Sequence, residues 1–181
     1  MHATTGYTRT AIGLHWLVAV AIVGIFSLGL YMHELPLSPD KLKLYSWHKW
    51  AGVSIFLLVL LRIVWRLSHR PPAPPAGMPA WQRQAAEGVH LLLYALMLAV
   101  PISGWLMSSA KGVPTVWFGV LPLPDLLEKN KELGDLLAAV HKTLNLGMAG
   151  LVLVHAGAAL KHHLIDRDEV LVRMLPLLKN P

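Results

Sequence analysis

The sequence predicts an all-α, integral membrane four-helix bundle, and three observations carry that prediction. Hydrophobic residues make up 55% of the 181 and charged residues 14%, a balance suited to a lipid-immersed surface rather than a water-exposed one. Four apolar stretches are each long enough to cross a hydrocarbon layer about 30 Å thick. Every arginine falls on one side of the resulting topology.

The first span lies near Ala11–Tyr31. It is too long for a signal-peptide core and lacks a clear small-residue cleavage site, so it is expected to remain as a helix. Ser38 and Pro39 follow as a cap and a first helical position, which starts the second helix outside the bilayer. The second span is Trp47–Leu67. After Arg70, PPAPPAGMPA makes a stiff extended connector that can form no helix. The third span is Gly88–Ser108. In the long loop from Ser109 to Ala139, Trp117, Phe118 and several leucines suit a membrane interface, and the second half reads as a short amphipathic surface helix. The fourth span is Val140–His162. There is no internal repeat, and the chain, residues 1–181, suits one domain.

Charge sets the expected orientation. Arg9, Arg62, Arg66, Arg70, Arg83, Arg167 and Arg173, with Lys161 and Lys179, share one side with four acidic residues, for a net +5. The other side holds seven lysines and six acidic residues, for a net +1, completing the +6 of the chain. By the positive-inside rule both termini are cytoplasmic. The basic balance then reflects topology and anionic lipid, not nucleic acid. The absence of cysteine excludes disulfides, iron–sulfur ligation, thiol catalysis and haem attached through CxxCH.

Ten histidines are a heavy load for so apolar a chain. His141 and His155 lie on the fourth span, fourteen residues apart. Fourteen helical steps end about 40° short of four turns and rise about 21 Å, so both imidazoles point to nearly one face, one toward each side of the membrane. His15 matches His155 in depth, on the cytoplasmic side. His48 opens the second span and matches His141 on the periplasmic side. Four imidazoles in two layers suit two stacked, non-covalent b-type haems, His15 pairing with His155 and His48 with His141. Any one of these histidines alone would read equally as an interhelical hydrogen-bonding residue.

Other residues bear on that reading. Gly52, Gly147, Gly150, Ala156 and Gly157, with Gly24 and Gly29, leave room for a porphyrin or for close helix packing. Met148, midway between His141 and His155 on the same face, suits an axial ligand in principle and, better, gap-filling between two haems. His90 opens the third span and rivals His15 as a cytoplasmic ligand; it also suits hydrogen bonding to a propionate or quinone, or packing against Trp16 and Tyr94. His162, with Lys161 and His163, forms a cationic patch open to a propionate, a quinone or lipid headgroups. Lys49 and Lys142 each follow a proposed ligand; they suit propionate pairing, attraction of a small anion, or snorkelling to the interface. Arg9 would serve the cytoplasmic propionates or set topology. The loop after the third span suits headgroup packing or a lid over a haem edge. His2, His33 and His69 lie in termini or loops with no expected role.

With IGLHWLVA, WHKWAG, HLLLYALMLAVPISGWLMSSAKG and HKTLNLGMAGLVLVHAGAALKHHLIDRDEVLVRMLP in order, nearly the whole chain resembles the bacterial cytochrome b561 family of four-helix di-haem membrane cytochromes. It is similar, more distantly, to the cytochrome b subunits of formate dehydrogenases and nickel–iron hydrogenases. The formate dehydrogenase type pairs helices one and four around one haem and helices two and four around the other, which implies the same ligand pairs. The resemblance implies electron transfer in the bacterial inner membrane. The best-defined activity in the family is superoxide oxidase, which passes electrons from periplasmic superoxide to ubiquinone. Lys49, Lys111 and Lys142 would then attract superoxide, and quinone would bind near His90 or His162. Two further readings stand beside it: an electron-transfer cytochrome subunit passing electrons between a partner redox protein and quinone, and a histidine-lined proton or metal transporter. The transporter lacks a carboxylate relay in the deep interior.

Overall fold

The computed structural model describes residues 6–75 and 77–178; His2 and Lys179 lie outside the described residues. Helix α1 (Arg9–Glu34) starts at Thr8, whose hydroxyl accepts from the Ala11 N–H at 3.2 Å. Helix α2 (Pro39–Ser68) is capped by Ser38, which accepts from the Lys41 N–H at 3.2 Å, with Pro39 opening the helix. That is the expected start, and its reason is the pre-set φ of proline beside a side-chain acceptor. Helix α3 (Ala80–Ala110) follows the proline connector and contains Pro101, which removes one N–H from its ladder. Helix α4 (Lys131–Lys161) runs into a π-helical turn, His162–Asp166, that ends at Arg167 in the left-handed region. All four helices are long and apolar enough to cross a membrane. Four crossings return the chain to the side from which it started.

One element differs from expectation. The second half of the 109–139 loop is not a separate amphipathic helix, because Lys131 onward is the first part of α4. Asn130 accepts from the Leu133 N–H at 3.0 Å, and no helix breaker of the proline type separates that cap from His141. Before it lies a small hairpin of β1 (Val116–Trp117) and β2 (Leu121–Pro122), with Trp117 opposite Leu121. Its turn carries Phe118 and Gly119, both at positive φ.

The hairpin loop is fastened to protein. The Trp50 indole donates to the Val116 carbonyl at 2.6 Å, and the Trp105 indole to the Pro124 carbonyl at 3.1 Å. Lys49 donates to the carbonyls of Val113 and Pro114 at 2.8 and 3.3 Å. These bonds satisfy loop carbonyls that an interface would hydrate only partly.

The bundle packs as two intimate pairs, α1 on α2 and α3 on α4, with α2 and α3 joining them. The backbone of α4 scarcely approaches α1 or α2. A core of Val18, Ile55, Val59, Met97, Val100 and Met148 fills the middle. Met148 is therefore a packing residue, buried among apolar side chains.

Candidate metal centre

The gaps beside α4 are where the histidines meet. At the hairpin end, His48 of α2 faces His141 of α4 with ring centroids 6.4 Å apart. At the other end, where α1 starts and α4 stops, His15 of α1 faces His155 of α4 at 6.2 Å. Two metal–imidazole bonds end to end, each about 2 Å, plus half of each ring, come to roughly 6 Å. Both separations match that span. His90 of α3 also approaches His155, but at 5.3 Å, too close for the same coaxial arrangement. It lies beside the His15–His155 pair rather than across it.

Local hydrogen bonds fix the tautomer of His141. Its Nδ1 lies 3.0 Å from the Val100 carbonyl and 2.9 Å from the Ser103 hydroxyl, which itself donates to Val100 at 2.7 Å. A carbonyl can only accept, so Nδ1 carries the proton and Nε2 presents a lone pair. Nδ1 of His48 is buried with no hydrogen-bond partner. Two glycines admit these rings: an added Cβ would lie 3.2 Å from Cε1 of His48 at Gly29, and 3.1 Å from Cε1 of His141 at Gly104. Gly29, read in the sequence as room for a porphyrin or for helix packing, lies against the His48 ring. Gly104 gives no signal in the sequence, because its partner ring comes from another helix. Gly52 faces Ile25, and nothing lies within 4 Å of a Cβ placed on Gly24, Gly147, Gly150 or Gly157.

The other sequence candidates fall as follows. Lys161 pairs with Asp166 at 2.6 Å, and His162 Nδ1 sits 2.6 Å from Asp168 and 3.2 Å from Asp166. The expected cationic patch is thus offset by carboxylates folded back over it from the π turn. Lys111 faces Asp135 at 3.5 Å. Lys49 is directed into loop carbonyls. Lys142 is exposed. Arg9 is exposed too, whereas Arg62, whose place in the sequence signals only topology, reaches the histidines: its Nη2 lies 2.9 Å from Nδ1 of His15.

The sequence profile described as prokaryotic cytochrome b561 matches residues 6–177. The chain belongs to the prokaryotic cytochrome b561 family. It is 36% identical to cytochrome b561 homolog 2 of Escherichia coli strain K12 over 170 residues, covering 93% of this chain and 90% of that protein. It is 30% identical to cytochrome b561 homolog 1 of the same organism, covering 94% and 97%. It is 31% identical to the probable superoxide oxidase CybB of Yersinia pestis, covering 94% and 96%. The cytochrome is therefore a multi-pass membrane electron-transfer protein, and its family implies b-type haem.

Proposed function

We propose that this cytochrome holds two non-covalent haems b, one between His15 and His155 and one between His48 and His141. The observation that carries this is geometric: two histidine pairs at 6.2 and 6.4 Å, between helices whose backbones stay apart. Bound there, haem iron takes up and gives out one electron at a time. The termini face the cytoplasm of a bacterial inner membrane, which puts the net charge in accord with the positive-inside rule.

The donor we assign is superoxide, at the hairpin end, and the acceptor is ubiquinone. A name carried by a relative, probable superoxide oxidase, supports this. Superoxide loses one electron and leaves as dioxygen; two such electrons and two protons convert ubiquinone to ubiquinol. Lys142 supplies the most available positive charge beside the His48–His141 pair. Lys49 adds charge from a fixed position, and Lys111 contributes less because Asp135 opposes it. At the opposite end, a cavity of about 270 Å³ is lined by Gln82, Met78, Pro79, His162, Asp166 and Asp168. We assign it to the quinone head group, with the His162–Asp168 pair placed to hand over protons.

A stopped-flow visible spectrum of the purified oxidised protein mixed with a superoxide source tests the reading. A b-type reduction signal that ubiquinone then reverses is the expected result. Haem bands that stay oxidised with superoxide, yet reduce with dithionite, would overturn the donor and favour a redox-protein partner. A haem-free but correctly folded protein would overturn the cofactor reading itself.

A further inference from the structure

Arg62 is a cation in search of a partner. It lies on α2 six residues inside the helix end at Ser68, roughly 9 Å by helical rise, and is partly buried. A charge at that depth in an apolar layer is costly unless something answers it. Among the described residues neither Arg62 nor Arg66, one turn away, has a carboxylate partner. Both guanidinium groups sit over the Tyr94 ring, at 5.4 and 5.8 Å from its centroid. The cavity they share is also lined by Tyr7, His69 and Arg70, and by no acidic residue.

The contact Arg62 does make cannot survive metal binding. Arginine only donates, so Nδ1 of His15 accepts from it and the proton of that imidazole sits on Nε2. A metal on Nε2 displaces this proton to Nδ1, where it meets a donor. A metal on Nδ1 takes the lone pair that Arg62 uses. Either way Arg62 must leave His15 when iron arrives. The group that expels it brings carboxylates of its own.

We infer that Arg62, with Arg66, is the binding site for the propionate carboxylates of the haem held by His15 and His155. The inference rests on the ligand pairs proposed above. A guanidinium on a carboxylate is a strong, oriented pair. It also places positive charge by this haem and favours its reduced state. Arg9, exposed at the helix start, is not part of this site.

The test is potentiometric titration of the purified full-length cytochrome, read by visible spectrum. Arg62→Met should lower the reduced-to-oxidised ratio of one haem about tenfold at a fixed potential, equivalent to about 59 mV for one electron, and leave the other haem unchanged. Arg62→Lys should recover part of the loss. With haem dimethyl ester, whose propionates are blocked, the Arg62 charge stays but its partner is gone, so the shift caused by Arg62→Met should differ from the shift seen with ordinary haem. An equal Arg62→Met shift with ordinary haem and with the ester would overturn the inference and assign the pair to lipid phosphate. Should Arg62→Met fail to assemble, Arg66→Met and Arg62→Lys, compared with ordinary haem and with ester, give the same reading. His155→Ala serves as the control on the ligands. Loss of one haem there, with no effect of Arg62→Met, overturns this inference alone; retention of both haems overturns the ligand pairs as well.

Discussion

Gly104→Ala is the smallest change that should separate the two proposed haems. The new Cβ would lie 3.1 Å from Cε1 and 3.4 Å from Nδ1 of His141. The ring must therefore give way by a few tenths of an ångström, and it is not free to do so. Nδ1 is held by Val100 at 3.0 Å and by Ser103 at 2.9 Å. Overpacking of this kind costs about 1–3 kcal/mol. Loosening one of the two hydrogen bonds adds about 0.5–1.5 kcal/mol. Alanine in a helix interior returns about 0.5–1 kcal/mol relative to glycine. A net cost of about 0.5–4 kcal/mol remains, centred on about 2 kcal/mol, which is a factor of about 30 in an equilibrium. The assay is transfer of haem from the purified protein to an excess of a haem-binding acceptor, followed by visible spectrum. One haem should leave with an equilibrium or rate shifted by that factor while the other is retained as in the unaltered protein. Gly13→Ala is the control, since nothing lies within 4 Å of its added Cβ. If Gly104→Ala behaves like Gly13→Ala, the glycine is not there to admit a ligand ring and the reasoning fails.

Four further outcomes are expected. His48→Ala and His141→Ala should each lower the haem-to-protein ratio from two to one in a pyridine haemochrome assay, whereas His90→Ala, which lies beside the pair and not across it, should leave two. Lys142→Glu should slow superoxide-driven reduction several-fold at low salt, with the difference shrinking as ionic strength rises; a salt-independent loss would place the residue in packing instead. Lys111→Gln should slow it less, because Asp135 already opposes that charge. Asn130→Ala removes the cap of α4 and should cost about 1 kcal/mol, read as a lower thermal midpoint with the haem spectrum unchanged.

The four helices were legible because they rest on local signals: apolar length, Ser38 and Pro39 at one start, and a proline run at one stop. The face shared by His141 and His155 was legible for the same reason, since helical spacing alone sets it. Its partners followed from depth, and the structure brings His15 and His48 to the two rings of α4. The N-terminal part of α4 was hidden because polar residues such as Lys131, Glu132 and Asp135 interrupt the hydropathy without interrupting the helix. Leaving the lipid ends an apolar run, but an α-helix ends only where its carbonyls find other partners.

Contacts between helices were the illegible part, and charges show why. In the sequence, Lys161, His162 and Arg62 all read as surface or topology signals. In the fold, Asp166 and Asp168 swing back across a π turn to meet Lys161 and His162, while Arg62 meets His15 and the Tyr94 ring and, among the described residues, no carboxylate. A paired cation at a membrane surface can be removed at little cost. An unpaired one beside two histidines that face each other is costly to keep, so its presence calls for an anion from outside the chain. The residue to examine in a membrane cytochrome of this kind is therefore the cation whose answering charge the chain does not supply.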